Sequence, residues 1–261
     1  MKIGMNFYRG GVCNGLSIEK AVALLQENGF SATFLGNEEA GFHDSVEACQ
    51  KAGIAVDTIH APFDKINSMW LPGEEGDEML RRLIVSFEDA ARHSIPVVVV
   101  HMSSGFHPPI IGDVGNDRFR RLMETAAELG VTPAIENQRL LANIALMFEY
   151  YDNARFCWDI GHEACFALGR EYMPLFGHKL AALHVHDNNC ILDQDLHMLP
   201  YDGKIDFDKA ARHIAKTGFQ GTMMLEVMTK SDIYSQLTPE EYYCRAAQSA
   251  RKFADAIDSY R

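Results

Sequence analysis

Six short apolar runs in this chain end on a residue that can bind a cation or move a proton. VDTIH ends at His60, VVVVH at His101, PAIE at Glu136, FCWD at Asp159, LAALH at His184 and MMLE at Glu226. Others follow within a few residues: His162 in WDIGH, His186 and Asp187 in HVHD, and Asp195 and His197 in DLH. One strand-end histidine is most simply a hydrogen-bonded structural residue. Six such ends with the same chemistry are hard to ascribe to packing, because buried carboxylates and imidazoles are costly unless paired or bound to a cation. Two Glu, an Asp and a His suit a divalent ion of the Mn, Co, Zn or Mg type. Oxygen-rich ligation leans towards Mn or Mg, and several imidazoles favour Zn.

The elements that must present these residues alternate between short β-rich runs and longer amphipathic ones. Strand candidates are Lys2 to Asn6, Phe30 to Leu35, Ile54 to His60, PVVVV with His101, TPAIEN, ARFCWD, LAALHVHD and GTMMLEVM. Helical patterns lie between them, among them SIEKAVALLQENG with Ser17 as cap, a run from about Glu78 to His93, NDRFRRLMETAAELG and FDKAARHIAKTG. A last helix, PEEYYCRAAQSARKFADAI, closes the chain. The weakest unit follows Asp159, where GHEACFALGREYMPLFG gives only a short helix signal. Alternation of this kind implies a parallel sheet. Eight units in 261 residues match a single-domain (β/α)8 TIM barrel over residues 1–261. A doubly wound open sheet is the alternative, but no GxGxxG follows any strand. In the barrel all strands run the same way, so the polar strand ends converge on the C-terminal rim, where such enzymes carry their chemistry.

Composition narrows the function classes. Hydrophobic residues make up 47% and charged residues 23%, which sets aside disorder, collagen and coiled coil as whole-chain descriptions. With 24 Lys plus Arg against 36 Asp plus Glu, the net charge of −12 disfavours a nucleic-acid partner. The six cysteines form no CxxC pair, no run of 18 apolar residues occurs, and MKIGMNFYRGG does not read as a signal peptide. The expectation is a cytoplasmic protein with reduced thiols and no membrane span, for which a homo-oligomer would be ordinary.

The motifs HAPF, VVVVH, IEN, WDIGH, HVHDN, DLHMLPYDGKIDF and LEV, in this order, resemble the xylose isomerase-like barrel superfamily. That superfamily contains sugar phosphate isomerases and epimerases and the endonuclease-IV-like enzymes, and the resemblance covers about the last four fifths of the chain. It implies a (β/α)8 barrel with one divalent metal at its mouth, held by Glu136, Asp159, His184 and Glu226. It further implies that Glu136 and Glu226 are the acid/base pair on opposite faces of a bound sugar, with His162 touching the substrate beside the reacting carbon. The chemistry is coherent. A cation on the carbonyl oxygen steadies the enolate formed when a carboxylate removes the neighbouring proton, and a second carboxylate returns it. Return to the opposite face is epimerisation; return to the adjacent carbon is aldose–ketose isomerisation. His60, His101, His162, Asp195 and His197 are expected to orient the carbohydrate, the histidines among them alternatively binding additional metal.

Two further readings use the same residues. The nine positions His60, His101, Glu136, Asp159, His162, His184, Asp195, His197 and Glu226 also resemble the trinuclear zinc set of endonuclease-IV-like phosphodiesterases. A dehydratase of inosose or dehydroshikimate type would use the same site. A binding module without turnover would not need two acid/base carboxylates. Trp70 and Met69 either close over a substrate as a lid or belong to a solvated loop with a buried Trp, His107 is a candidate substrate contact, and Tyr8 and Arg9 are expected to border the mouth. A substrate phosphate would draw on Lys204 or Arg170 by position; a small free sugar or polyol is the expectation.

Overall fold

A computed structural model describes residues 1–261. Its strands are β1 (Ile3–Asn6), β2 (Ala32–Gly36), β3 (Ala55–His60), β4 (Val97–Val100), β5 (Thr132–Glu136), β6 (Arg155–Asp159), β7 (Leu180–His184) and β8 (Met223–Leu225). The helices are α1 (Ile18–Glu27), α2 (Phe42–Lys51), α3 (Glu74–Arg92), α4 (Asp113–Leu129), α5 (Leu141–Tyr150), α6 (Ile160–Phe166), α7 (Met173–Phe176), α8 (Phe207–Thr217) and α9 (Pro239–Ser259). All strand pairs are parallel, in the order β7-β6-β5-β4-β3-β2-β1-β8. The ring closes just past β7, where Val185 bridges Leu225 and exchanges backbone hydrogen bonds with Met224 and Glu226. The fold is a (β/α)8 barrel, as the alternation requires.

Local chemistry sets the helix boundaries. Ser17 caps α1 by accepting from Lys20 N. The acidic run before α3 is its first turn, with Glu74, Glu75 and Asp77 at the positive end of the helix dipole, so the helix begins earlier than its apolar pattern suggests. Thr238 and Glu241 form a capping box on α9, with Pro239 at the first helical position. The weak unit after Asp159 resolves into α6, which starts on the residue after β6 with no connecting loop. Asp159 accepts the His162 backbone N–H at 2.6 Å and is therefore both strand end and helix cap.

Strand periodicity then aims the site. Val98 and Val100 pack in the large core between barrel and helices, whereas Val99 joins Ala134, Cys157 and Ala182 in a separate small cluster. Ala32, Phe34 and Met224 form another. Side chains two positions apart on a strand share a face. His101, Glu136, Asp159, His184 and Glu226 each lie two residues beyond Val99, Ala134, Cys157, Ala182 and Met224, so all five point inwards at the top of the barrel.

The β3–α3 connection is fastened down. Trp70 is buried in a 3-10 turn, Ile66–Trp70, and donates its indole N–H to Met102 O at 2.7 Å. Of the two readings of Trp70 and Met69, the structure selects the loop with a buried Trp: both side chains are buried while Asp64, Lys65, Leu71 and Pro72 around them are exposed. The buried guanidinium of Arg118 on α4 holds that loop from below, donating to the carbonyls of Ser68, Met69, Leu71 and Gly73.

Candidate active site

The barrel mouth opens into a cavity of about 1160 Å³. His60, His101, His162, Asp195, His197 and Glu226 line it, and Gln138 stands among them. Glu136, Asp159 and His184 are buried just beneath, at 1%, 0% and 0% exposure. One potential ligand atom each from Glu136, Asp159, His184 and Glu226 lies within 4.8 Å of the others. The structure thus brings together all the strand-end residues singled out from the sequence. It leaves out His107, Lys204 and Arg170, which are exposed and do not line the cavity. Tyr8 and Arg9 do line it.

Glu136 is the hub. Its Oε1 accepts from His184 Nδ1 at 2.6 Å, its Oε2 meets His101 Nε2, and His60 Nε2 stands 3.6 Å from Oε2. Burial opposes ionisation of this carboxyl, but the imidazoles of His101 and His184 outweigh it and hold its pKa well below the usual range. Burial pushes His101 down to about 4, so it meets the carboxylate as a neutral N–H donor. Glu226 moves the other way. Burial, then the nearby charges of Glu136 and Asp159, raise its pKa well above normal.

Backbone carbonyls fix how two histidines face the mouth. His60 Nδ1 bonds Ala61 O at 2.8 Å, and His197 Nδ1 bonds Glu226 O at 2.9 Å. Each arrangement leaves Nε2 directed at the site, the usual support for a ligating imidazole. His162 sits between Asp159 and Asp195, 3.5 Å from a carboxylate oxygen of each. Burial opposes its protonation, but those carboxylates raise its pKa to about 10.

Two contributors, Gln138 and Asn137, were not among the residues singled out from the sequence, and two others, His186 and Asp187, were noted there without a role. The Gln138 side-chain amide lies 3.0 Å from His162 Nδ1 and 3.3 Å from His101 Nε2, spanning the histidines that follow β6 and β4. Asn137 bonds the Asp159 backbone in both directions at 2.8 Å, continuing the β5–β6 ladder where the strands part. Asp187 accepts from the backbone N–H of Asn188, Tyr201, Gly203 and Ile205, folding the loop that delivers Asp195 and His197. His186 is fully buried and stacked on His197 with ring centroids 4.0 Å apart, and neither ring nitrogen is hydrogen-bonded. An extra histidine two residues after His184 was visible; its contacts were not.

The close fit around His186 yields a stability test. A Cβ on Gly161 would lie 1.9 Å from His186 Cε1, with the ring pinned by its neighbours. Gly161→Ala should cost about 1–3 kcal/mol of overpacking despite the better helix propensity of alanine. Urea unfolding checks this, and an unchanged midpoint would show that the ring can move aside.

The comparisons with known proteins agree with this architecture. A curated relative, the uncharacterized protein y4fM of Sinorhizobium fredii, is 32% identical over 152 residues, 57% of this chain and 47% of its own length. The match thus spans about half of that relative. D-psicose 3-epimerase from Clostridium cellulolyticum H10 has a similar structure, with a TM-score of 0.78 at 12% identity, covering 98% of this chain and 99% of its own. The IolI protein with a bound zinc atom superposes with a TM-score of 0.75 at 17% identity, covering 100% of this chain and 99% of its own. No helix of the chain is long and apolar enough to cross a membrane. Residues 19–253 match the model of the xylose isomerase-like TIM barrel family, and the chain belongs to that family.

Proposed function

We propose that the chain is a metal-dependent sugar isomerase or epimerase that moves a proton on the carbon beside a carbonyl. The observation that carries this reading is the buried group Glu136, Asp159, His184 and Glu226 at the mouth of a barrel cavity. The group fits a divalent cation on its own geometry. Asp159 Oδ2 is buried without a hydrogen-bond partner, which is costly unless something else satisfies it, and His184 Nδ1 faces Glu136 and Glu226 at 2.6 and 3.4 Å. Three carboxylates with one imidazole suit Mn, Co, Zn or Mg, one ion per group. When bound, such an ion supplies Lewis acidity that steadies negative charge growing on the substrate oxygen.

The rest is done by side chains of the barrel. Glu136 ends β5 and Glu226 follows β8, with β6 and β7 between them in the ring, so the two carboxyl groups approach a bound sugar from different sides. One carboxylate takes the proton from one face, and the other returns one to the opposite face or to the adjacent carbon. His60, His101, His162, Asp195 and His197 line the space above and present donors and acceptors to substrate hydroxyls. Likeness to D-psicose 3-epimerase and to the zinc-bound IolI protein supports the carbohydrate and the metal. The test is deuterium incorporation: ketoses and aldoses are incubated with enzyme and Mn, Co, Zn or Mg in D2O and followed by NMR. Exchange at the carbon next to the carbonyl is expected, and none across the panel would rule the reaction out.

One observation favours a second reading. Besides the central group, His60, His101 and Glu136 form a second potential metal set, and His162, His186, Asp195 and His197 a third. Three zinc ions would suit phosphodiester hydrolysis. Elemental analysis separates the two: about one ion per chain supports the sugar enzyme, and about three zinc with cleavage of an abasic-site oligonucleotide supports the nuclease.

A further inference from the structure

The cavity is far larger than one sugar ring requires. Pockets of roughly 300–1,000 Å³ enclose most of a drug-sized molecule, and this one is about 1160 Å³. Its walls continue away from Glu226 and His162 along the loops after β1, β2 and β3, as far as Arg9, Asn14, Glu39, Ala40 and Asp64. We propose that this arm is a second sugar subsite, and that the substrate is an uncharged disaccharide carrying a free carbonyl rather than a monosaccharide or a sugar phosphate. The inference rests on the sugar reading above and adds the size and charge of the substrate.

Three features of the arm argue for a neutral sugar. Phe63 is 49% exposed at the mouth, with its ring packed on His101 at 4.6 Å between centroids. It offers a flat apolar face to the C–H face of a pyranose. Carboxylates are acceptors only, and sugar hydroxyls are donors. Glu39 spends Oε1 on the Gly36 N–H and keeps Oε2 for such a hydroxyl. Finally, the side chains lining the cavity are unfavourable to a phosphate. Besides His162, which is held between Asp159 and Asp195, the basic ones are Arg9, Arg139 and Lys230, against six carboxylates. Arg139 is already paired with Asp193 at 2.7 Å and stacked on Phe166, and Arg9 is turned to Ala40 O at 3.2 Å. A phosphate-binding arginine would present its guanidinium free to the ligand.

The test compares deuterium exchange on fructose, fructose 6-phosphate and the glucosyl-fructoses palatinose, turanose and maltulose, using the metal-loaded full chain. At least one disaccharide should exceed both fructose and its phosphate tenfold or more in kcat/KM. Ala40→Trp fills the arm from an exposed position and should reduce the disaccharide-to-fructose ratio at least tenfold. If fructose or its phosphate matches every disaccharide, or if Ala40→Trp leaves the ratio unchanged, the arm is not a subsite, while the proposed reaction stands. Absence of exchange with every compound overturns the reaction and this inference with it.

Discussion

Glu226→Gln is expected to lower proton exchange beside the substrate carbonyl by about 10²–10⁴-fold, the usual worth of a positioned acid or base. Glutamine keeps the volume and can still accept hydrogen bonds, but it can neither take nor deliver the proton. Glu226 is the member of the four-residue group that lines the cavity, so its loss acts where substrate lies. Burial and the charges of Glu136 and Asp159 oppose ionisation of Glu226, a cost that glutamine does not carry, so the metal-free variant should be at least as stable as the parent. Exchange rate, metal content and urea midpoint are measured together. Lost exchange with metal and fold retained assigns the proton to Glu226. Exchange at the parental rate in a metal-loaded variant would falsify the two-glutamate mechanism.

Cation removal should give the largest change in stability. A ligand that binds only the folded state at about 100 times its Kd stabilises by roughly 2.7 kcal/mol. For a chain of this size, each kcal/mol moves Tm by about 2–4 °C. Chelation is therefore expected to lower Tm by about 5–10 °C, and Mn, Co, Zn or Mg to restore it to differing extents. The control is Asp159→Asn. Asparagine can still accept the His162 N–H and cap α6, so the fold keeps that contact while the site loses a charged ligand. The variant should show little or no cation-dependent shift. A parent whose Tm ignores both chelator and added metal would remove the cation from the proposal.

Much of the fold is legible along the chain because its signals are local. Apolar runs with period-two spacing, helical faces with period 3.6 and caps at Ser17 and Thr238 each depend on a handful of neighbouring residues. The polar strand ends are equally local, and one architectural rule, that all barrel strands point the same way, places them on one rim. Where local signals conflicted, the reading weakened. Asp159 ends one element and starts the next, so no turn separated β6 from α6 for a sequence pattern to detect.

The sequence by itself therefore determined the barrel and the identities of the residues at its mouth. Tertiary structure alone decided which of them touch. Glu136 meets His101 and His184 from strands 35 and 48 residues away in the chain, at a closeness set by the register and closure of the ring. The same closure turned ordinary-looking Gln138 and Asn137 into supports, buried His186 against His197, and drew Asp187 under a loop of four backbone donors. It also excluded His107, Lys204 and Arg170, which were candidates by position only. The reason is physical: a side chain's direction follows from its own strand, but its partners, its burial and hence its pKa depend on what other strands bring within a few ångströms.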